Sequence, residues 1–331
     1  MKPVEWVDAT SADEAVASLA PPGAVVKAGG IDLLDLMKEG LVVPHRLVNI
    51  RRIHAFDGID EDRTTGHLRL GSLVTLAHIA SDPLVRARAR ALAEAAGHAA
   101  TPQIRNVATI GGNLLQRPRC WYFRSEAFPC RRKGGTACFA IEGENAYHAV
   151  FDNRTCAIVH PSATATALVA LGASLSIVGK AGAREVKVES IFVRPEQDVT
   201  REHSLESDEV ITAVRVPRLP PGAASAYTKL GEKESYDWPI AEAACVIERS
   251  GNRCVRASIV LGAAAPVPWR AKEAEAALAG QELGEPAARM AAKLCVKGAT
   301  PLSGNAHKVQ LLEVVARRTI LAAMMEKEQP R

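Results

Sequence analysis

Four cysteines fall close together in the middle of the chain, at Cys120, Cys130, Cys138 and Cys156. Their spacings of ten, eight and eighteen residues are too wide for a zinc ribbon, which is built on CxxC turns. Four thiolates are also the ligand set that a [4Fe–4S] cluster requires. The chain has seven cysteines, an odd number, so a framework made only of disulfides does not fit. From the residues alone, an iron–sulfur cluster, a zinc ion and free thiols are equally compatible with this group.

The segment that carries these cysteines is basic. Between positions 117 and 157, seven arginines and lysines stand against four aspartates and glutamates, a net charge of +3. Positive charge favours the thiolate form of cysteine and would also stabilise a negatively charged cluster. The Gly134-Gly135 pair adds loop flexibility and backbone N–H groups that can donate hydrogen bonds to the sulfur atoms of a cluster. The segment therefore has the charge expected around bound thiolates.

Two glycine pairs form a second candidate site. In VVKAGGIDLL and VATIGGNLL, Gly29-Gly30 and Gly111-Gly112 each follow an apolar stretch that predicts a strand. Glycines lack a β-carbon, so backbone N–H groups there can approach a phosphate closely, and the two loops together could hold a pyrophosphate. Neither matches GxGxxG or GxxxxGK, which disfavours the Rossmann fingerprint and the P-loop. For either pair alone, a simple tight turn is the alternative.

These residues depend on the elements that position them. Ser11 and Glu14 form a capping box that predicts a short helix. Strands at 24–28 and 46–50 around a helix at 32–38 predict a βαβ unit in one sheet. The other predicted elements before residue 217 are strands at 67–73, 174–178, 186–188 and 209–216, and helices at 75–80, 84–96 and 163–171.

The last third of the chain predicts a compact α+β domain. PRLPPG, at 217–222, is the best linker candidate. Three strands follow, and Ser250-Gly251-Asn252 turns the last two into a hairpin. The predicted strands are 225–230, 240–248 and 255–263, and the predicted helices are 271–278, 286–296 and 308–326. Three antiparallel strands covered by three helices bury one common core.

Composition excludes several classes of partner. The 331 residues are 47% hydrophobic and 24% charged, which is ordinary for a globular protein of two or three domains. The net charge of +4 is spread along the chain, so binding of nucleic acid is not expected. The N-terminus shows no signal peptide, and no apolar stretch approaches the roughly 18 residues of a membrane helix. We therefore expect no export signal of the chain's own and no direct membrane insertion.

Several segments, taken in order, resemble one family over nearly the whole chain. After the two glycine loops, the last within TPQIRNVATIGGN, come HPSATATALVALGA, EVITAVRVP, SAYTKLGEKESYDWPIAEAACVI and IVLGAAAPVPWRA. This series resembles the FAD-binding medium subunits of xanthine dehydrogenase and carbon monoxide dehydrogenase, which are molybdenum hydroxylases. The resemblance implies an α+β fold: a two-part FAD-binding domain of the PCMH type (vanillyl-alcohol-oxidase-like) at 1–60 and 61–220, then a C-terminal flavoprotein domain at 221–331.

The resemblance also implies a set of FAD contacts. They are Lys27, Ala28, Gly29, Gly30, Ile31, Asp32 and Leu33 in the first loop, Thr109, Ile110, Gly111, Gly112 and Asn113 in the second, and Ser162, Ile211, Lys229 and Asp237 beyond. One position departs from the family, which usually reads His-Pro-Ser-Asp where this chain has Ala163 after Ser162. The carboxylate expected at the adenosine ribose is missing, so Ser162, Thr164 or a water has to substitute.

The cysteine-rich segment has its own resemblance. CWYFR, a Pro-Cys, a basic Gly-Gly turn and a late cysteine before VHPS resemble the insertion of molybdenum aldehyde oxidoreductase flavoprotein subunits. This implies that Cys120, Cys130, Cys138 and Cys156 bind a [4Fe–4S] cluster within 117–157. 4-Hydroxybenzoyl-CoA reductase has a comparable insertion with different spacing. The other three cysteines are expected to be small apolar residues, and His148 and His160 are expected to be structural.

The implied function is electron transfer within a larger enzyme. A large subunit with the molybdenum cofactor would oxidise the substrate, a small subunit would carry [2Fe–2S] clusters, and this chain's FAD would pass electrons to an external acceptor. No catalytic residue is assigned to this chain. The alternatives are the flavoprotein subunit of a 4-hydroxybenzoyl-CoA reductase- or xanthine dehydrogenase-type enzyme, and a non-redox zinc-binding scaffold. The expected compartment is the cytoplasm, or the periplasm if a signal-bearing partner carries the chain across.

Overall fold

The computed structural model describes residues 2–233 and 235–325. The N-terminal part is a three-stranded parallel sheet of order β1-β3-β2. Its elements are β1 (Glu5–Asp8), α1 (Ala12–Leu19), β2 (Ala24–Lys27), α2 (Ile31–Lys38) and β3 (Arg46–Asn49), followed by a 3-10 turn at His54–Phe56. Ser11 Oγ accepts a hydrogen bond of 3.1 Å from Glu14 N and so caps α1 as predicted. The four-residue strand β1 is too short to show a sequence pattern and was not predicted.

The middle part is a five-stranded antiparallel sheet with helices on it. The sheet order is β4-β5-β8-β6-β7. In chain order the elements are β4 (Ile59–Glu61), β5 (Leu68–Gly71), α3 (Leu76–Ser81), α4 (Pro83–Arg88), α5 (Arg90–His98), α6 (Pro102–Arg105), α7 (Ile110–Leu114), α8 (Trp121–Arg124), α9 (Ala163–Ala170), β6 (Ser174–Gly179), β7 (Gly182–Lys187), α10 (Val188–Ile191) and β8 (Val210–Val216). A 3-10 turn lies at Arg131–Lys133.

Three local predictions in this part were wrong. The helix expected at 84–96 is two helices, because Ala89 has φ −146° and ψ 55° and breaks the turn. Val188 begins a helix and does not end a strand. The second glycine pair is not in a loop after a strand, because Gly111 and Gly112 lie inside α7. The first turn of α7 is capped by Thr109, whose Oγ1 accepts a hydrogen bond of 3.2 Å from Gly112 N. Local glycine content favoured a turn there, and the cap overrides it.

Helix α9 joins the middle part to the C-terminal part. All eight of its residues are buried, which fits a helix that is apolar on every side. It lies between α5 on one side and strands β10 and β11 of the C-terminal sheet on the other. One hydrophobic core therefore runs through both parts, from Leu168 on α9 to Val246 on β10. Each fully buried leucine or valine in it stabilises the fold by about 1.5–3 kcal/mol.

The C-terminal part is an antiparallel sheet of order β12-β11-β10-β9 covered by helices. Its elements are β9 (Ala224–Leu230), β10 (Ala241–Ser250), β11 (Arg253–Gly262), β12 (Trp269–Arg270), α11 (Lys272–Leu278), α12 (Glu285–Cys295) and α13 (His307–Met325). The prediction of three strands was wrong by one, since β12 has two residues and no readable pattern. The predicted end of the last helix at Glu326 lies outside the described residues. Across the described ranges, no helix combines the length and hydropathy needed to cross a membrane.

Candidate cofactor sites

A cavity of about 690 Å³ opens where the three parts of the chain meet. Fourteen of the sixteen predicted FAD contacts line it. These are Lys27, Ala28, Gly29, Gly30, Ile31, Asp32, Leu33, Thr109, Gly111, Gly112, Asn113, Ile211, Lys229 and Asp237. Residues that lie more than two hundred positions apart in the sequence thus line the same cavity. We call this space the large cavity.

The first glycine pair packs against the backbone that leads into the second. A β-carbon on Gly29 would lie 2.3 Å from the carbonyl oxygen of Val107, just before the second loop, so only glycine fits there. Gly30 has φ +81° and precedes α2 without a side-chain cap. The first residues of α2 line the large cavity, and no side chain of residue 30 caps their N–H groups. A helix N-terminus of this kind attracts anions such as phosphate.

Ile110 and Ser162 do not line the large cavity. Ile110 is fully buried in the core. Ser162 lies behind Asn113, to whose Oδ1 its hydroxyl donates at 2.7 Å, and Thr164 donates to the same oxygen at 2.6 Å. Ala163, at the position of the missing carboxylate, does line the cavity. The two hydroxyls thus fix the orientation of Asn113 from behind.

Glu242 is a member of the cavity wall that the sequence reasoning missed. Its carboxylate is 1% exposed and accepts hydrogen bonds from the hydroxyls of Tyr227 and Thr166, the latter at 2.9 Å. Burial raises the pKa of Glu242, although both hydrogen bonds oppose the shift. A β-carbon on Gly262 of the next strand would lie 1.9 Å from the carboxylate, so the glycine makes room for it. The signal in the sequence was a charged residue inside an otherwise apolar strand.

Charged and aromatic side chains surround the C-terminal side of the large cavity. Lys229 lies directly opposite Glu242 in the β9–β10 pair, and burial lowers the pKa of its amine. Its Nζ donates to the carbonyl oxygen of His98 at 3.1 Å. Trp238 is half exposed, and the guanidinium of Arg119 lies 4.8 Å from its ring centre. The wall thus offers a cation and flat apolar surfaces to a planar, polar-edged ligand.

The four clustered cysteines line a second, smaller cavity. Cys120, Cys130, Cys138 and Cys156 surround a space of about 10 Å³, and we call it the cysteine cavity. Cys130 and Cys156 are buried, and the other two are half-buried. The side chain of His148 also contributes, with Nε2 3.2 Å from Cys120 Sγ. Within the described ranges, no three His, Cys, Asp or Glu side chains are placed to hold a single metal ion as they stand.

The thiols in this cavity have unequal acidity. The Cys156 thiol donates to Cys138 and lowers its pKa to about 6, helped by the N–H groups of Ala157 and Ala140. The same contact and burial raise the pKa of Cys156. Burial raises the pKa of Cys120 to about 11, against N–H donors from Phe123 and Tyr122 in α8. Backbone N–H groups that point at sulfur are suited to holding thiolates on a bound metal or cluster.

Salt bridges tie the cysteine-rich segment to the first glycine loop. Asp32, in the first turn of α2, accepts hydrogen bonds of 2.8 Å from Arg117 N and from the guanidinium of Arg124, and a further one from Arg119. Burial raises the pKa of Asp32, and these donors oppose the shift. Arg124 also reaches Glu39, beyond the end of α2, at 3.1 Å. The helix that borders the large cavity therefore also supports the cysteine-rich segment.

The remaining cysteines and the second histidine are structural, as predicted. Cys245, Cys254 and Cys295 are all buried in the core between the C-terminal sheet and its helices. His160 is buried, and its Nδ1 lies 3.3 Å from Ser162 N, the donor to it. Burial lowers the pKa of His160 to about 3, so its ring is neutral in the folded protein. His148 is also buried, and the hydrogen-bond partner of its ring is Cys120, a cysteine of the proposed ligand set.

Two family models account for almost the entire chain. Residues 2–219 match the FAD binding domain in molybdopterin dehydrogenase, and residues 225–323 match the CO dehydrogenase flavoprotein C-terminal domain. The chain belongs to the FAD-binding subunits of the xanthine and CO dehydrogenase family of molybdenum hydroxylases. This flavoprotein subunit is therefore part of an oxidoreductase, and FAD binding is a property of its family.

Individual relatives agree with this assignment. The flavoprotein subunit is 32% identical to the aldehyde oxidoreductase FAD-binding subunit PaoB of Escherichia coli, covering 96% of this chain and 95% of that one. It is 30% identical to the carbon monoxide dehydrogenase medium chain of Hydrogenophaga pseudoflava, covering 95% and 94%. A solved structure of carbon monoxide dehydrogenase from the same organism superposes with a TM-score of 0.76, covering 98% of both chains at 29% identity. The predicted family and the mixed α+β fold are confirmed.

Proposed function

We propose that this chain is the electron-transfer subunit of a heterotrimeric molybdenum hydroxylase of the aldehyde oxidoreductase type. It would bind FAD in the large cavity and a [4Fe–4S] cluster at the cysteine cavity. Its partners would be a [2Fe–2S] small subunit and a large subunit with the molybdenum cofactor, and it would deliver electrons to an external acceptor. The observation that carries the proposal is the convergence of both glycine loops on one cavity beside four clustered cysteines.

The large cavity suits FAD in its chemistry. Gly29 and Gly30 expose backbone N–H groups at the N-terminus of α2, where a pyrophosphate would be held. Ile211 offers an apolar surface to the flavin ring, and Lys229 and Asp237 would contact its polar edge. When bound, FAD supplies the group that accepts electrons and releases them to the acceptor. The chain's own residues bind it, orient it and set the charge around it.

The donors at the cysteine cavity suit an iron–sulfur cluster. The four cysteines line one cavity, and backbone N–H groups donate to the sulfurs of three of them, Cys120, Cys138 and Cys156. Arg132 Nε is a buried donor beside the cavity with no partner in the protein. A space of about 10 Å³ holds roughly one water, so these side chains have to separate to take up a cluster. The loop position of all four cysteines allows this.

The aldehyde oxidoreductase assignment rests on the insertion and on the relative that is an aldehyde oxidoreductase subunit by name. A 4-hydroxybenzoyl-CoA reductase- or xanthine dehydrogenase-type enzyme is the alternative within the family. The domain boundaries at 1–60, 61–220 and 221–331, and the PCMH-type form of the first two segments, belong to the same proposal. Substrate oxidation is assigned to the proposed large subunit, because the resemblance places the molybdenum cofactor there.

The test is an absorption spectrum of anaerobically purified protein, with iron, sulfide, zinc and flavin quantified per chain. We expect about one FAD and about four irons with four sulfides, the contents of one flavin and one [4Fe–4S] cluster. Cys130→Ser should lose iron and sulfide and keep FAD. Cys254→Ser, a buried cysteine outside the cavity, is the matched control and should keep both cofactors. A colourless wild-type protein that contains zinc and does not take up FAD would overturn the proposal.

A further inference from the structure

A buried arginine lies between the two cavities. The side chain of Arg132 is 1% exposed and lines the cysteine cavity, where it contacts Cys156. Its Nη1 donates to Glu202 Oε1 at 2.8 Å and to the carbonyl oxygen of Arg201 at 3.3 Å. Its Nε is buried and has no partner. One edge of the guanidinium is thus paired, and another is left with an unused donor beside four cysteines.

Glu202 extends this contact to the large cavity. Its carboxylate, 10% exposed, lines the large cavity and also accepts from Arg117 Nε at 3.0 Å. The ion pair of Arg132 and Glu202 therefore has its cation on the cysteine side and its anion on the flavin side. Both partners are shielded from water, so their charges act on nearby groups with little screening.

An unpartnered N–H donor on a buried cation costs stability unless an acceptor is supplied. The acceptors next to it are the sulfur atoms of the cysteine cavity, which lose their thiol protons when they bind metal, and a bound cluster gains one more negative charge on reduction. A cation held there stabilises the more negative state. Hydrogen bonds to sulfur and local charge are among the factors that set iron–sulfur potentials.

We propose that Arg132 raises the reduction potential of the group held by the four cysteines. The charge of Glu202 lowers that potential, and its carboxylate connects Arg132 to the large cavity. The inference rests on the proposed function, since it needs a redox group at the cysteine cavity. It predicts that the two halves of one ion pair move the potential in opposite directions. Loosening of the local structure alone would not produce opposite signs.

The experiment is a redox titration of the iron–sulfur signal, followed by electron paramagnetic resonance, in the purified complex with its partner subunits. Arg132→Met should make one-electron reduction at least tenfold less favourable, which means that the reduction potential falls by at least 59 mV. Glu202→Gln should shift the potential upward. Arg154→Met removes the same charge from an exposed position of the same segment and is the control, with an expected change below threefold.

Other outcomes separate the possible failures. Iron in the wild type with an unchanged potential in both Arg132→Met and Glu202→Gln overturns the inference and leaves the proposed function standing. A shift of the same sign in both variants also overturns it. If Arg132→Met does not take up iron, Arg132→Lys and Glu202→Gln are measured instead. A reduction potential near the wild-type value in Arg132→Lys and a higher one in Glu202→Gln support the inference. No iron in the wild type removes the proposed function itself.

Discussion

Replacing Gly29 with alanine places a methyl group against a backbone carbonyl. The new β-carbon would lie 2.3 Å from the oxygen of Val107. Carbon and oxygen in close contact normally stay about 3.3–3.6 Å apart, so the two loops must separate by about 1 Å. Overpacking of this kind costs about 1–3 kcal/mol. Because the contact joins the two loops of the large cavity, we expect the cost to appear in FAD affinity.

A loss of about 1–3 kcal/mol corresponds to FAD affinity weakened about 5- to 150-fold. The assay is a titration of apoprotein with FAD, followed by flavin fluorescence, after thermal unfolding has shown that the variant folds. Gly97→Ala is the matched control. Gly97 lies inside α5, and a β-carbon there would be an ordinary 3.6 Å from the β-carbon of Ala80 on α3. It should leave affinity unchanged and stabilise the helix by up to about 1 kcal/mol. Wild-type affinity in folded Gly29→Ala would refute the role given to the loop contact.

Three further predictions concern charge and stability. Asp32→Asn should lower the free energy of unfolding by about 1–3 kcal/mol, because the guanidinium of Arg124, held at 2.8 Å, loses its counter-charge; urea unfolding measures this, and an equal loss in the exposed control Asp13→Asn would contradict it. Glu242→Ala should cost about 2–4 kcal/mol and Glu242→Gln clearly less, since the amide still accepts from Tyr227; equal losses in chemical denaturation would argue against the hydrogen bonds. Burial lowers the pKa of His160 from 6.5 to about 3, so below pH 6.5 the unfolded chain binds a proton that the folded chain excludes, and stability falls as pH is lowered. His160→Gln should flatten the dependence of unfolding free energy between pH 6.5 and 4, and an unchanged slope would show that other groups cause it.

The connection between the two sites is the main structural consequence for function. Asp32 sits at the N-terminus of the helix that borders the large cavity, yet its carboxylate is occupied by arginines of the cysteine-rich segment. A cofactor bound at one site therefore acts on the elements that form the other. In the proposed electron-transfer subunit, such a connection would keep FAD and the proposed cluster at a fixed separation and in a defined electrostatic environment.

The sequence by itself determined the family, the mixed fold and the residue types at both sites. Glycine pairs, clustered cysteines and ordered segments are local patterns, which can be read without knowing how the chain packs. Through the family resemblance that they carry, they implied fourteen residues that line one cavity. Strands and helices of seven or more residues, such as α12 and β9, were also readable because their periodicity extends over several turns or pleats.

Tertiary structure alone decided which of these residues touch. Ser162 faces Asn113 and not the cavity, and Glu242 is drawn into the cavity wall from an apolar strand. Arg132 meets Glu202 across 70 positions of sequence. Such pairs have no local signature, because they form only when separate elements pack and buried polar groups must find partners wherever the fold places them. The sequence supplied the chemical groups, and packing determined their partners.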